Sequence, residues 1–117
     1  MRIRKGIRDM KPIISQTGEE IYEMVKGKLS STAKVRLKPG IHSPKHKHTG
    51  EQEETYIITE GHGLMIINRE RHRVIAGDVI LISPGDVHQI FNDSDDDLWL
   101  FVPSAPPFDP KNFHEVE

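Results

Sequence analysis

Seven histidines, at positions 42, 46, 48, 62, 72, 88 and 114, and no cysteine define the chemistry open to this chain. Residues i and i+2 of a strand project from one face. His46 and His48 therefore stand side by side, which suits two adjacent positions on one metal ion. Glu51-Gln52-Glu53-Glu54 follows and brings carboxylate oxygens to the start of the next strand. Farther on, Gly77-Asp-Val-Ile-Leu-Ile-Ser-Pro-Gly-Asp-Val-His88 runs a buried strand into a Pro-Gly turn, and a histidine opens the strand after it. A buried imidazole is unfavourable unless it is hydrogen-bonded or ligated. Without cysteine there are no disulfides, iron–sulfur clusters or thiolate sites, so any metal must be held by histidine and carboxylate.

The segment from Gly40 through His46-Lys-His48 and Glu54 to Gly61 resembles the first cupin motif: Gly, five residues, His-x-His, three or four residues, Glu, six residues, Gly. The segment Gly77, Ser83-Pro84-Gly85, His88, Asn92 is similar to the second motif. In two places the chain departs from the pattern. Five residues separate His48 from Glu54, and Glu54 is chosen because six residues then lead to Gly61; Glu53 is the alternative ligand. Ser83 stands where a proline is usual, at a turn position that touches no metal.

The resemblance implies an all-β jelly-roll barrel, the double-stranded β-helix, with one divalent metal ion in its lumen held by His46, His48, Glu54 and His88. Three neutral imidazoles and one carboxylate leave such an ion with one net positive charge and, if octahedral, two open positions. The ligand set suits Mn, Fe, Co, Ni, Cu or Zn. If the strands are regular, Tyr56 and Ile58 share parity with Glu54, and Ile90 shares parity with His88. These residues, with Gln52 near the carboxylates, form the expected wall of a small-molecule pocket.

The elements that must position these residues are short. Ser31–Lys38 alternates, with Ala33, Val35 and Leu37 on one face. Runs over 55–59, 64–67, 73–75, 79–82, 87–91 and 98–102 are apolar or β-branched and are separated by Gly and Pro, a rhythm typical of a sandwich or barrel. Asn68-Arg-Glu-Arg71 reads as a tight hairpin turn, since asparagine tolerates positive φ. In 98–102 either Leu98, Leu100 and Val102 or Trp99 and Phe101 line the lumen, while the other set packs on a second sheet or subunit. Residues 1–30 form an arm, with 1–12 an extra edge strand. Residues 31–102 form the barrel. The tail from Pro103 cannot be a central strand, because prolines at 103, 106, 107 and 110 remove donors; it wraps over the barrel with Phe108 and Phe113 as anchors.

A chain of 117 residues is one ordinary domain, and 16 basic against 18 acidic residues give no field for nucleic acid or membrane. No apolar run reaches the roughly 20 residues of a membrane span, and no signal core follows the basic start, so a cytoplasmic protein is expected. The remaining histidines, 42, 62, 72 and 114, read as surface groups, as does Arg36. Asp93–Asp97 reads as a solvated turn, lacking the glycine and distal glutamate of a calcium loop. Glu51, Glu53 and Tyr56 are the candidate bases. Function divides between a metalloenzyme of isomerase or dioxygenase type, acting on a sugar or organic acid, and a metal-anchored binding or sensing module. By the same resemblance a homodimer is expected.

Overall fold

The computed structural model describes residues 1–117. Eleven strands follow in chain order: β1 Ile13–Ile14, β2 Glu20–Lys26, β3 Ser31–Leu37, β4 His46–His48, β5 Glu53–Glu60, β6 His62–Ile67, β7 Glu70–Ile75, β8 Val79–Ile82, β9 His88–Phe91, β10 Leu98–Ala105 and β11 Phe113–Glu115. They form a six-stranded sheet, β1-β2-β3-β10-β5-β8, and a five-stranded sheet, β11-β4-β9-β6-β7. The strand pairings within each sheet are antiparallel, for example β10 with β3 and β5. The only helical element is a single 3-10 turn, Pro110–Asn112.

Alternation turns one side of each strand inward. Val35 and Leu37 of β3, Tyr56 and Ile58 of β5, Ile90 of β9 and Leu98, Leu100 and Val102 of β10 join one buried cluster. Leu37, Leu98 and Met65 are fully buried at 0% exposure, and each such side chain contributes about 1.5–3 kcal/mol before its entropy cost. Trp99 and Phe101 take the outer face of β10. They need no second sheet there, because Lys34 Nζ lies 4.8 Å over the Trp99 ring and 5.5 Å over Phe101. Arg36 lies 5.3 Å over Trp99.

Three local devices fix the connections. Asn68 and Arg69, at φ 48° and 74°, form the two-residue turn between β6 and β7, with the positive φ pair that matches strand twist. Gly61 (φ +85°) sits where a Cβ would fall 2.4 Å from the Asp97 carbonyl, so the β5–β6 corner admits only glycine. Asn92 is buried and donates to the Leu37 carbonyl at 2.8 Å and the Asp96 carbonyl at 2.7 Å. The motif asparagine therefore ties the two sheets at the end of β9.

Several expectations are corrected. Residues 1–12 form no strand; the first edge strand is β1, at 13–14. β2 carries no clean apolar alternation and was not foreseen. Pro103 does lie in a central strand: β10 continues to Ala105, and its ladder to β5 is interrupted between Phe101 and Ser104 while that to β3 runs on. The interruption tolerates a residue without an N–H. The acidic turn is solvated as expected, with Asp93, Asp95 and Asp96 exposed, but two of its carboxylates are paired, and Arg36 is half-buried rather than solvated. Asp97 accepts from Arg36 at 2.6 Å and Asp93 pairs with Arg73.

Candidate metal centre

The four sequence-selected donors converge. The ligating atoms of His46, His48, Glu54 and His88 all lie within 4.8 Å of one another, and all four residues are buried. β4 supplies His46 and His48 from one face. β5 supplies Glu54 from the opposite sheet, and β9 supplies His88 beside His46 in register. Glu53, one position along, is turned out to solvent, as is Glu51. Strand parity separates the two neighbouring carboxylates.

Each ring is held from behind. His46 Nδ1 lies 2.8 Å from the Pro44 carbonyl, and His88 Nδ1 lies 2.9 Å from the Asp86 carbonyl. A carbonyl only accepts, so Nδ1 carries the proton and Nε2 presents a lone pair to the centre. The Gln52 amide nitrogen is 3.4 Å from His48 Nδ1 and 3.5 Å from Glu54 Oε2, and its oxygen accepts from the Asp109 backbone N–H at 3.4 Å. Ser104 Oγ donates to Glu54 Oε2 at 3.1 Å.

The facing atoms are not satisfied within the protein. His48 Nε2 and His88 Nε2 are buried without a hydrogen-bond partner. His48 Nε2 lies 2.9 Å from Glu54 Oε1 but is not aligned for a hydrogen bond, and His88 Nε2 lies 4.0 Å from the same oxygen. Donors with bonds of roughly 2.0–2.2 Å to one ion stand about 3 Å apart when adjacent and about 4.3 Å apart when opposite, so the set fits a divalent ion. The electrostatics agree. Burial, reinforced by the neighbouring His88, lowers His46 to about 4, and burial likewise lowers His88. Burial raises the Glu54 carboxyl, but His48 beside it, with His88 and His46, brings it below its ordinary value. Neutral imidazoles and an ionised carboxylate are the forms that bind metal.

The centre opens into a cavity of about 670 Å³, within the usual range of small-ligand sites. Its wall includes Tyr56, Ile21, Val35 and Val102, and the tail closes over it through Phe108 and Phe113. Phe113 stacks on His46 at 4.7 Å between ring centroids, and Phe108 meets His48 edge-on at 6.1 Å. Tyr56 makes no side-chain hydrogen bond within the protein, and burial together with Glu54 and Glu19 pushes its phenol well above 10. It is a neutral hydrogen-bond donor at the cavity wall.

Of the four expected pocket residues, only Tyr56 lines the cavity. Ile58 and Ile90 have the inward parity but lie in the apolar core, since two residues along a strand is a step of about 7 Å. Gln52 is buried, not in an exposed loop, and stands behind His48 and Glu54. Of the other histidines, His42 is half-buried away from the centre, with Nδ1 2.8 Å from the Ser43 carbonyl and its ring against Phe91. His62, His72 and His114 are exposed.

Glu19 is the wall residue that sequence reasoning missed. It lies between β1 and β2, lines the cavity with His46, His48 and Glu54, and makes no side-chain hydrogen bond or ion pair. Burial, with the charge of Glu54 adding, raises its carboxyl to about 7. No motif marks it, and its neighbour Glu20 carries the same side chain to the other face, toward Arg36 and Lys38.

The cupin domain family model matches residues 33–103. An uncharacterized protein of Methanocaldococcus jannaschii is 36% identical over 114 residues, covering 92% of this chain and 90% of that one. The oxalate-binding protein of Thermotoga maritima is 34% identical over 98 residues, covering 84% of this chain and 75% of the relative. A Thermotoga maritima crystal structure described as a "predicted oxalate decarboxylase" superposes with a TM-score of 0.77 at 25% identity, covering 89% of this chain and 98% of that one. With both motifs on adjoining strands of a jelly-roll and the family match spanning more than half its length, the chain belongs to the cupin family.

Proposed function

We propose that this cupin binds one divalent metal ion through His46, His48, Glu54 and His88 and acts as a small metalloenzyme on an oxygen-rich metabolite, an organic acid or a sugar. The observation that carries this reading is the convergence of four buried donors whose facing nitrogens, His48 Nε2 and His88 Nε2, make no aligned hydrogen bond. Leaving such atoms unpaired costs roughly 1–3 kcal/mol each, a cost that coordination removes. The metal is one of Mn, Fe, Co, Ni, Cu or Zn, and when bound it supplies Lewis-acid or oxygen-activating chemistry of isomerase or dioxygenase type. The chain's own residues do the rest. Tyr56 offers a neutral O–H to a bound oxygen, Ser104 steadies Glu54, and Phe108 and Phe113 exclude water.

A second reading, a metal-anchored binding module without turnover, is favoured by the oxalate-binding relative from Thermotoga maritima. Metal content of protein purified without chelators, measured by mass spectrometry, tests the shared part. About one ion per chain, lost in His48→Ala and His88→Ala, supports both readings; no ion even after reconstitution removes both. Catalytic consumption of oxalate or a hydroxy acid then separates enzyme from binder.

No helix is long and apolar enough to cross a membrane, and a cytoplasmic setting with a small-molecule ligand is part of the proposal. A homodimer is as well. It is supported by the exposed Ile75 on β7 and Val79 and Leu81 on β8, the edge strands of the two sheets, and by exposed Ile13 and Ile14 on β1. Light scattering at micromolar concentration giving a monomer mass would remove that part.

A further inference from the structure

We propose that Glu19 binds the end of the ligand remote from the metal, through a hydrogen bond to a ligand hydroxyl, so that the cavity selects small hydroxy acids over simple carboxylates. This rests on the metal reading above, because the carboxylate end of such a ligand sits at His46, His48, Glu54 and His88.

Three observations lead to it. The cavity, about 670 Å³, is far larger than a ligand lying wholly against the four donors would fill, so a second contact surface is available. Glu19 occupies that surface without a partner of its own, whereas Glu20 next to it pairs with Arg36 and Lys38. The half-buried Glu19 carboxyl has no donor or cation of the protein beside it, and unpaired titratable groups in clefts mark binding positions. Finally, Glu19, Glu54 and Tyr56 line the same cavity, so a ligand held at the four donors lies between the two carboxyls and the phenol.

The charge of the wall decides what Glu19 can hold. The groups facing it are His46 and His48 from β4, Glu54 and Tyr56 from β5, and Glu23 and Lys26 from the adjoining strand β2; β3 and β10 contribute only neutral side chains. Lys26 is the one cationic side chain in the lining, and it is exposed to solvent. A second anionic group on the ligand, carboxylate or phosphate, would meet Glu19 and Glu23 with no buried cation to compensate. A hydroxyl meets a good acceptor. Hydrogen bonds to charged groups contribute enough to shift affinity by about tenfold or more.

The test is calorimetric titration of the zinc-loaded full-length chain with matched acids that differ by one distal hydroxyl: lactate against glycerate, and 2-hydroxybutanoate against 2,4-dihydroxybutanoate. In the wild type the added hydroxyl should tighten binding about tenfold or more in at least one pair. Glu19→Ala should abolish that gain, and Glu19→Gln, which still offers a carbonyl acceptor, should keep part of it. Oxalate, which has no distal hydroxyl, should bind wild type and variants alike. In carbon-13 spectra the Glu19 carboxyl signal should move with the dihydroxy acid and not with its partner. No gain from the hydroxyl in either pair, or a gain that survives Glu19→Ala, overturns the proposal while oxalate binding leaves the metal reading standing. If the wild type takes up no zinc, the metal reading falls and this one falls with it.

Discussion

His46 and His88 face each other across the residue pair that joins β4 to β9, with their rings 4.1 Å apart. Each donates Nδ1–H to the carbonyl of the residue two before it, Pro44 or Asp86, at 2.8 and 2.9 Å. The same local device thus recurs in the two motifs, and a single cross-strand register brings its two copies together. Because each tautomer is set by its own strand, both Nε2 atoms are prepared for a metal before any ion arrives. Such prior orientation removes rotamer freedom that binding would otherwise have to remove.

Gln52 stands behind His48 and Glu54, and its loss should weaken the centre without emptying it. Its amide spans His48 Nδ1 and Glu54 Oε2 while its oxygen receives the Asp109 N–H. Groups that orient a ligating side chain typically matter about 10–100-fold in metal affinity. Gln52→Leu should show a loss of that size in chelator competition, with all four donors still present. An unchanged affinity would mean that Gln52 only pins the tail at Asp109.

The metal-free protein should reveal Glu19 through the pH dependence of its stability. Burial raises this carboxyl from 4.5 to about 7, so its contribution is present below about 4.5 and is lost as pH rises through about 7. His46 runs the other way: lowered from 6.5 to about 4, it contributes above 6.5 and loses that contribution as pH falls through about 4. Glu19→Gln keeps the shape and removes only the first effect. The variant should gain on wild type by about 1–2 kcal/mol between pH 5 and pH 8, after discounting for partial solvent screening. Urea melts at the two pH values give the number; an equal difference at both would sink the assignment.

How much of this was legible beforehand depended on the range of the interaction. The donors and their strands were readable because ligand spacing and period-two alternation are local. The same parity put Tyr56, Ile58 and Ile90 inward, yet it carries no information about depth along the barrel, so all three join the core and only Tyr56 also lines the cavity. Pro103 misled because proline excludes a ladder donor only where that donor is used. Glu19 was invisible for a deeper reason: one of two adjacent glutamates faces a cavity that exists only after β2 joins β3. Gln52, expected in the pocket wall, stands behind the donors instead, where the tail lays Asp109 on it.

Gly63 lies outside both motifs, but it should be as intolerant as the motif glycine at 61. A Cβ there would fall 2.4 Å from the Phe91 carbonyl and 3.0 Å from the Leu98 side chain. The carbonyl belongs to β9, which is paired to β6 at Leu64, so relief requires spreading the strand that carries His88. Overpacking against a fixed backbone costs about 1–3 kcal/mol or more. Gly63→Ala should lower the urea midpoint accordingly and weaken metal binding in parallel. A change confined to stability would show that β9 yields without moving His88.

Arg69 should be a position where stability can be gained. It adopts φ 74° in the two-residue turn between β6 and β7 while its side chain is exposed and makes no hydrogen bond or ion pair. Asn68 before it tolerates positive φ and also accepts from the Val87 backbone N–H at 3.0 Å and donates to Asp86 at 2.9 Å, so it must stay. Glycine at the second position completes the Asn-Gly pair that this turn type favours. Left-handed backbone costs an ordinary residue roughly 1–2 kcal/mol, while glycine adds freedom to the unfolded chain. The first effect should exceed the second, giving Arg69→Gly a net gain of about 0.5–1 kcal/mol in denaturant melts. Metal affinity should not change, because the turn contacts Asp86 and Val87 only through Asn68. A loss of stability would mean that the unfolded-state entropy outweighs the relieved strain.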